Sequence, residues 1–224
     1  MTYKLTLQSK EQLTPDTYRY VFDKPEGLDF DAGQATELTL LKDGWRDEAR
    51  PFTFTSLPDA NALEFVIKSY PDHDGVTEQL AKLEKGDTVE IDAPFGAISD
   101  HGPGVFIAAG AGITPFIPIL EKHAEAGKMA CTLIFTNATE ADVILREKWE
   151  KMDWLTTIFT VTDEDDTGAG VKEEKVDKAF LKENLKRFDQ TFYICGPQGF
   201  VNDVRDALKD LGADADKIVT EEGW

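Results

Sequence analysis

Cysteine and histidine are scarce in this chain of 224 residues: Cys131 and Cys195 are joined by only His73, His101 and His123. Both cysteines sit inside apolar runs, so reduced thiols are a simpler reading than a disulfide framework. The scattered histidines and two distant cysteines have no metal-ligand spacing, and nothing here would hold an iron–sulfur cluster. No apolar run approaches the roughly 20 residues that cross a bilayer, so no membrane insertion is expected. The longest candidate, Val105 to Ala109, runs straight into glycines. The start, Met1-Thr2-Tyr3-Lys4-Leu5-Thr6-Leu7, alternates like a strand and lacks the apolar block of a signal peptide. A cytoplasmic address is the expectation. Positive charge is the third shortage, with 24 Lys and Arg against 43 Asp and Glu, a net charge of −19. Residues 1–102 carry 10 basic and 20 acidic side chains and residues 103–224 carry 14 and 23, so the excess is spread evenly. That argues against nucleic acid or an anionic membrane surface as the partner, since either needs basic stripes. Solubility is the plainer use of the charge.

What the chain does have is a hydrophobic fraction of 41%, enough for a buried core, and a length that suits one large domain or two compact ones. Its two halves read differently. Up to about Ile98, short alternating segments separated by turn residues predict an antiparallel barrel or sandwich: Tyr18–Phe22, Glu37–Leu41, Leu63–Ile67 and Thr88–Ile91. One helical stretch, Val76–Leu83, interrupts them. After His101-Gly102-Pro103-Gly104, strand-like runs (Val105–Ala109, Cys131–Thr136, Thr157–Val161, Thr191–Cys195) alternate with helical patterns (Pro115–Ala126, Glu140–Met152, Lys175–Lys186, Phe200–Leu211). That alternation predicts a parallel sheet wrapped by helices. The expected fold is therefore an N-terminal antiparallel β-barrel, residues 1–101, followed by an α/β Rossmann-like domain, residues 102–224.

Three segments carry chemistry. Gly110-Ala111-Gly112-Ile113-Thr114-Pro115 follows the apolar strand and opens a helix, where glycines let a phosphate approach bare backbone. Thr114 is expected to cap that helix and Pro115 to sit in its first turn, with free N–H groups and a positive dipole end facing a pyrophosphate. Alone, the segment also reads as a plain strand-to-helix connection. Tyr193-Ile194-Cys195-Gly196-Pro197 ends the last predicted strand and would face the same crevice, because ligands of open α/β sheets bind at the carboxyl ends of strands. In isolation Cys195 reads as a core thiol. Arg50-Pro51-Phe52-Thr53-Phe54-Thr55-Ser56 combines a cation, aromatic faces and hydroxyls, the groups a planar phosphate-bearing cofactor needs; by itself it is equally an ordinary barrel strand. Asp74-Gly75-Val76-Thr77 offers backbone N–H groups and a hydroxyl to a second phosphate.

Taken in order, these segments together with Gly33-Gln34, Gly86-Asp87 and Pro94-Phe95-Gly96 resemble the ferredoxin–NADP reductase superfamily along nearly the whole chain. The nearest resemblance is to small flavodoxin-reductase-like and cytochrome b5 reductase-like members, carried also by Phe135–Arg146. The resemblance implies a flavin barrel and a nicotinamide domain. Arg50 would hold the flavin pyrophosphate, with Pro51 beside it, Phe52 against the isoalloxazine and Thr53 near its N5. Ile67, Lys68 and Ser69 would line the flavin with backbone groups, and Gly75, Val76 and Thr77 would bind its phosphates. Gly110, Gly112 and Thr114, with Gly196 and Pro197, would take the dinucleotide, and Cys195 would lie beside the nicotinamide. Glu221 or Glu222 would supply an acid near it, and Trp224 would stack on the flavin. Thr53, Cys195 and Glu221 are thus the expected catalytic set. Phe52 departs from the commoner tyrosine and lacks its phenol.

The implied activity is hydride transfer from NADH or NADPH to bound FAD, then electron transfer to a separate acceptor protein such as a flavodoxin, ferredoxin or cytochrome. Two separate phosphate-binding elements, Arg50 and Gly75–Thr77, favour FAD over FMN. NADH is expected over NADPH, because the strand ends Thr136–Thr139 and Thr162–Asp165 offer a threonine and an aspartate where a 2′-phosphate needs cations. Arg146 and Lys148 are the counter-argument. The acidic surface disfavours a strongly acidic acceptor docked through charge. Rival readings are a flavin or ferric-chelate reductase with a diffusible acceptor, an electron-transfer subunit of a larger complex, and a non-enzymatic nucleotide-binding protein.

Overall fold

The computed structural model describes residues 1–71, 73–96 and 98–221. Its first half holds β1 (Tyr3–Thr14), β2 (Thr17–Asp23), β3 (Ala35–Leu40), β4 (Arg50–Thr53), β5 (Ala62–Lys68), α1 (Val76–Ala81) and β6 (Thr88–Ile91). The strands form one antiparallel sheet in the order β4-β3-β6-β1-β2-β5. Alternation decides which side each residue faces: Leu5 and Leu7, Tyr20 and Phe22, Leu38 and Leu40, and Val89 and Ile91 all point into one core. Phe30, Phe54 and Phe65 fill its middle, with Phe30 stacked on Phe54 at 4.3 Å. The two ends of the sheet meet where the Thr55 N–H donates to the Glu64 carbonyl (2.8 Å) and the Glu64 N–H donates to Ser56 Oγ (3.1 Å). This closes the sheet into a barrel.

The second half runs β7 (Gly104–Ala109), α2 (Phe116–Glu125), β8 (Cys131–Asn137), α3 (Arg146–Glu150), β9 (Leu155–Val161), β10 (Val171–Glu173), α4 (Lys178–Asn184), β11 (Thr191–Cys195), α5 (Gln198–Asp210) and β12 (Ile218–Thr220). All strand pairs are parallel, in the order β10-β9-β8-β7-β11-β12. Both faces of this sheet are covered, which explains its unbroken apolar strands. Phe106 and Ala108 pack to one side, and Val105 and Ile107 to the other. The first of these cores also takes Ala32, Val66 and Ile98 from the barrel half, so the two sheets share apolar packing. Gly33, at φ +95, lets the chain pass against Ile98 and under α2: a Cβ there would lie 2.1 Å from the Ile98 carbonyl oxygen and 3.0 Å from the Ile119 side chain.

Two expectations are corrected. The helix expected over Glu140–Met152 is broken into a 3-10 turn at Glu140–Asp142 and α3, separated by Leu145 at φ +56. Burial wins over helical continuity here, because the break sinks Val143 and Ile144 into the core and lets the buried Trp149 Nε1 donate to the Ile144 carbonyl at 2.8 Å. Thr114 does not cap α2. Pro115 stands at its N-cap, and the Thr114 hydroxyl instead donates to the Ala111 carbonyl (3.0 Å), closing a 3-10 turn over Gly110–Ile113. Among the described residues, no helix is long and apolar enough to cross a membrane.

Candidate functional site

A cavity of about 720 Å³ opens between the two sheets. Its barrel wall is built from Pro51, Phe52 and Thr53 on β4, Val66, Ile67 and Lys68 on β5, and Tyr70 and Thr77 beyond. The facing wall consists of the carboxyl ends of β7, β8 and β11 and the turns after them: Ala109 to Gly112 with Thr114, Thr136 to Ala138, and Cys195 to Pro197. Thr162, after β9, together with Asp142 and Glu221 completes it. The location follows from the two topologies. Around Val66–Lys68, β5 pairs with β2 on one side only, so the barrel seam offers strand-edge backbone to the cavity. In the parallel sheet, strand carboxyl ends leave turns and helix starts with free N–H groups.

Gly112 sets the closeness of the second wall. A Cβ on it would stand 2.3 Å from the Cys195 carbonyl oxygen and 2.6 Å from the Gly196 nitrogen, so only glycine lets the turn after β7 pass against the end of β11. Gly110, at φ +52, turns the chain out of the strand and has open space where a side chain would project.

Two acid groups of the pocket, Cys195 and Glu221, have their ionisation disfavoured by burial. Cys195 is 4% exposed; burial first, then the neighbouring Glu221 carboxylate to which the thiol donates, pushes its pKa well above the ordinary range. Burial also raises the Glu221 carboxyl, partly offset by the hydrogen bond from Cys195. Lys68 is the cation of the barrel wall. Burial lowers its pKa, but its 3.0 Å ion pair with Asp16 and the charge of Asp142 outweigh this and raise it. Asn137 is 6% exposed, and neither its Oδ1 nor its Nδ2 has a hydrogen-bond partner among the described residues.

The oxidoreductase FAD-binding domain family matches residues 4–99, and the oxidoreductase NAD-binding domain family matches residues 106–206. The chain belongs to the ferredoxin–NADP reductase-like superfamily of FAD- and NAD-binding oxidoreductases. It is similar to NADH-cytochrome b5 reductase 2 of Mycosarcoma maydis, 26% identical over 96% of this chain and 71% of that protein. It is 28% identical to the flavohemoprotein of Bacillus subtilis over 96% of this chain but only 58% of that protein. The CS-b5R domains of human Ncb5or, solved in an NAD+ form, superpose with a TM-score of 0.85 at 28% identity, covering 97% of this chain and 68% of that one. This reductase is accordingly an FAD-dependent NAD(P)H oxidoreductase, with one domain for FAD and one for the dinucleotide. Its residues fit the flavin: the open barrel seam presents strand-edge backbone, the Phe52 ring and the Thr53 and Thr77 hydroxyls to one cavity.

Of the residues singled out in the sequence, the reductase brings Pro51, Phe52, Thr53, Ile67, Lys68, Thr77, Gly110, Gly112, Thr114, Cys195, Gly196, Pro197 and Glu221 to this cavity. Four others do not line it. Arg50 is exposed and ion-paired with Glu48 at 2.9 Å. Ser69 is buried beside it, its hydroxyl donating to the Thr77 carbonyl at 3.4 Å. Gly75 is the N-cap of α1, and the Val76 side chain is in the barrel core. Trp224, expected on the flavin face, and Glu222 lie outside the described residues. Tyr70 and Asp142 were missed. Tyr70 follows the end of β5, where alternation no longer says which way a side chain points, and Asp142 depends on the fold of the Thr139 turn.

Proposed function

We propose that this reductase oxidises NADH in preference to NADPH and delivers the electrons to a separate acceptor protein such as a cytochrome, flavodoxin or ferredoxin, residues 1–101 serving the flavin and 102–224 the dinucleotide. The observation that carries the reading is the single cavity in which Phe52 and Thr53 of the barrel face Gly112, Cys195 and Glu221 of the parallel sheet. FAD, when bound, takes hydride as an electron pair and gives electrons up singly. Phe52 and the strand edge at Ile67–Lys68 hold the flavin plane, and the Thr53 hydroxyl orients it. Ser69 continues the backbone edge along the flavin, and Arg50, released from Glu48, and the Gly75–Thr77 turn serve its phosphates. Gly110, Gly112, Thr114, Gly196 and Pro197 leave room and N–H groups for the dinucleotide. Cys195 stays a thiol at neutral pH because burial and Glu221 disfavour its ionisation, so it packs beside the nicotinamide without adding charge. The contribution required of the protein is to bring the two rings together within one crevice.

The NADH preference is supported by where the nearby cations are engaged. Arg146 is tied to Glu140 and Glu150 and lies over the Phe159 ring, and Lys148 is ion-paired with Glu121. Neither is free to meet a 2′-phosphate near Thr162. Anaerobic mixing of the FAD-loaded protein with each dinucleotide tests the reading. Flavin bleaching with a higher second-order rate constant for NADH is expected. A clear preference for NADPH overturns the donor assignment, and bleaching by neither overturns the reading.

A further inference from the structure

The two thiols of the chain are equally buried, each 4% exposed, and differ in what stands beside them. Cys195 donates to the Glu221 carboxylate, which disfavours negative charge on its sulfur. Cys131, at the start of β8, lies outside the crevice. Its Sγ is 3.6 Å from His123 Nδ1, and His123 Nε2 is 2.9 Å from Asp100 Oδ1. Thiol, imidazole and carboxylate in that order hold a proton-carrying ring against a sulfur and fix the ring from behind. Asp100 is fixed in turn, because its Oδ1 also accepts the Gly102 N–H at 2.9 Å. The imidazole is charged at neutral pH, since the partners that raise its pKa to about 9 outweigh its burial. Both ring nitrogens then carry protons, one donating to Asp100 and the other to the sulfur. A cation in that place stabilises the negative charge that a sulfur carries as it attacks.

Only a small reagent can reach this sulfur. Ala126, Gly127, Lys128 and Ala130, just before Cys131 in the chain, are exposed, so the thiol stands one residue inside the surface. Behind it the cluster is closed by the apolar core that includes Phe106, Leu133 and Tyr193. We propose that Cys131 is the thiol of this reductase that hydrogen peroxide oxidises, with His123 as proton donor to the departing oxygen. The thiol gives its proton to solvent, and the sulfur attacks one peroxide oxygen, so that an S–O bond forms as the O–O bond breaks. His123 Nδ1 protonates the departing hydroxide to water, and the ring recovers its proton from solvent. The sulfur has then lost two electrons to the peroxide and is left as a sulfenic acid. The added oxygen falls between Sγ and the His123 ring, beside the contact that ties α2 to the segment joining the two halves. This site is separate from the crevice and does not depend on what binds there.

Timed exposure of the FAD-loaded protein to hydrogen peroxide tests it, with excess 1,3-dione to trap sulfenic acid and mass spectrometry to locate the adduct. Cys131 should be trapped faster than Cys195 by roughly a hundredfold, the lower end of what a placed proton donor contributes. His123→Gln, which keeps a hydrogen-bond donor without the charge, should bring trapping at Cys131 down towards the Cys195 rate. In the wild type, trapping at Cys131 should fall as pH rises through about 9, where the imidazolium is lost. Cys195 has no such donor and should be trapped faster as its thiol ionises. The other charged and titratable groups around the pair are Asp100, Lys122 on α2 and Tyr193 on β11; Asp100 stays ionised and Tyr193 neutral across this range. Trapping that is equal at the two thiols, or faster at Cys195, would overturn the proposal. So would a Cys131 rate that His123→Gln leaves unchanged, or one that climbs with pH through 9. The comparison of the two thiols and the pH series are made on the wild type and need no variant.

Discussion

Raising the pH from 6 to 10 destabilises this reductase through one buried histidine. His123, on α2, is 1% exposed, with Nε2 2.9 Å from Asp100 Oδ1 and Nδ1 3.6 Å from Cys131 Sγ. Its ring meets Phe106 edge-on at 6.1 Å. Burial alone would keep the imidazole neutral. The hydrogen bonds and charges of Asp100 and Cys131 outweigh it and raise the pKa from 6.5 to about 9. Burial likewise opposes the charge on Asp100, but the hydrogen bonds from His123 and from the Gly102 N–H, with Lys122 nearby, hold its carboxyl below the usual value. Tyr193 completes the surroundings: its hydroxyl donates to the Gly102 carbonyl (2.8 Å) and accepts from the His101 N–H (2.9 Å). Burial pushes its own pKa up to about 12, so it stays neutral in this range.

A histidine whose pKa is higher folded than unfolded contributes stability that is complete below the unfolded value and lost as pH rises through the folded one. Here the window runs from 6.5 to about 9. At about 1.4 kcal/mol per pKa unit, the loss across it is on the order of 3 kcal/mol. With a urea m-value of about 2–3 kcal/mol/M, the midpoint falls by roughly 1 M. Urea unfolding at pH steps from 6 to 10, with FAD held saturating, should be compared with His123→Gln, which keeps a donor for Asp100 but does not titrate. The difference cancels other alkaline titrations, including that of Cys195. A wild-type-minus-variant stability that is flat across the window, or that rises with pH, refutes a charged His123 in the folded protein.

Gly112→Ala places a methyl against the Cys195 and Gly196 backbone, so unfolding free energy should drop by roughly 1–3 kcal/mol and KM for NADH should rise, measured by urea titration and steady-state kinetics. Arg146→Ala should change kcat/KM for NADPH by less than the tenfold that about 1.4 kcal/mol represents, because the guanidinium is already spent on Glu140 and Glu150; a larger fall would mean it reaches the dinucleotide. Cys195 should alkylate slowly with iodoacetamide at neutral pH, and Glu221→Gln should speed the reaction by removing the carboxylate that disfavours the thiolate, with Cys131→Ala as background to isolate the signal. Electron transfer to a positively charged haem protein should slow as salt is raised, given a net charge of −19; an unchanged rate would show that long-range charge plays no part.

Alternation made the barrel legible in the sequence: Leu5 and Leu7 or Val89 and Ile91 can face one core only if the strands are where their spacing puts them. The parallel sheet was legible from the unbroken apolar runs at β7, β8 and β11. Its edges were not, because β10 and β12 are three residues each and carry too little pattern to separate from loop. Helix α3 was overread for a related reason. Glu140 to Met152 has helical composition, but the tertiary pull on Val143 and Ile144 breaks the run at Leu145. At the site, glycines could be found because turn geometry restricts residue type, whereas Cys195 was placed by its position at the end of β11 and by the family resemblance. The amide of Asn137 could not be singled out, since its lack of partners is a property of the surrounding atoms and not of the residues beside it in the chain.

Two unlike sheets meet at this crevice because each leaves backbone unpaired in a different way, one along a lateral seam and the other at its strand ends. Neither surface alone forms the cavity. What holds them at a fixed separation is the shared core, in which Ala32, Val66 and Ile98 of the first half pack with residues such as Ile113, Phe116, Ile119 and Leu120 of the second. Val66 has both duties, lining the cavity while standing 5% exposed in that core. The distance across the crevice is therefore set by close-packed side chains, which resist deformation far more than a linker does. The segment joining the halves is fastened in turn, with Ile98 in the core and Asp100 bonded to His123. Domain positioning, on which hydride transfer depends, is built from the same apolar contacts that stabilise the fold.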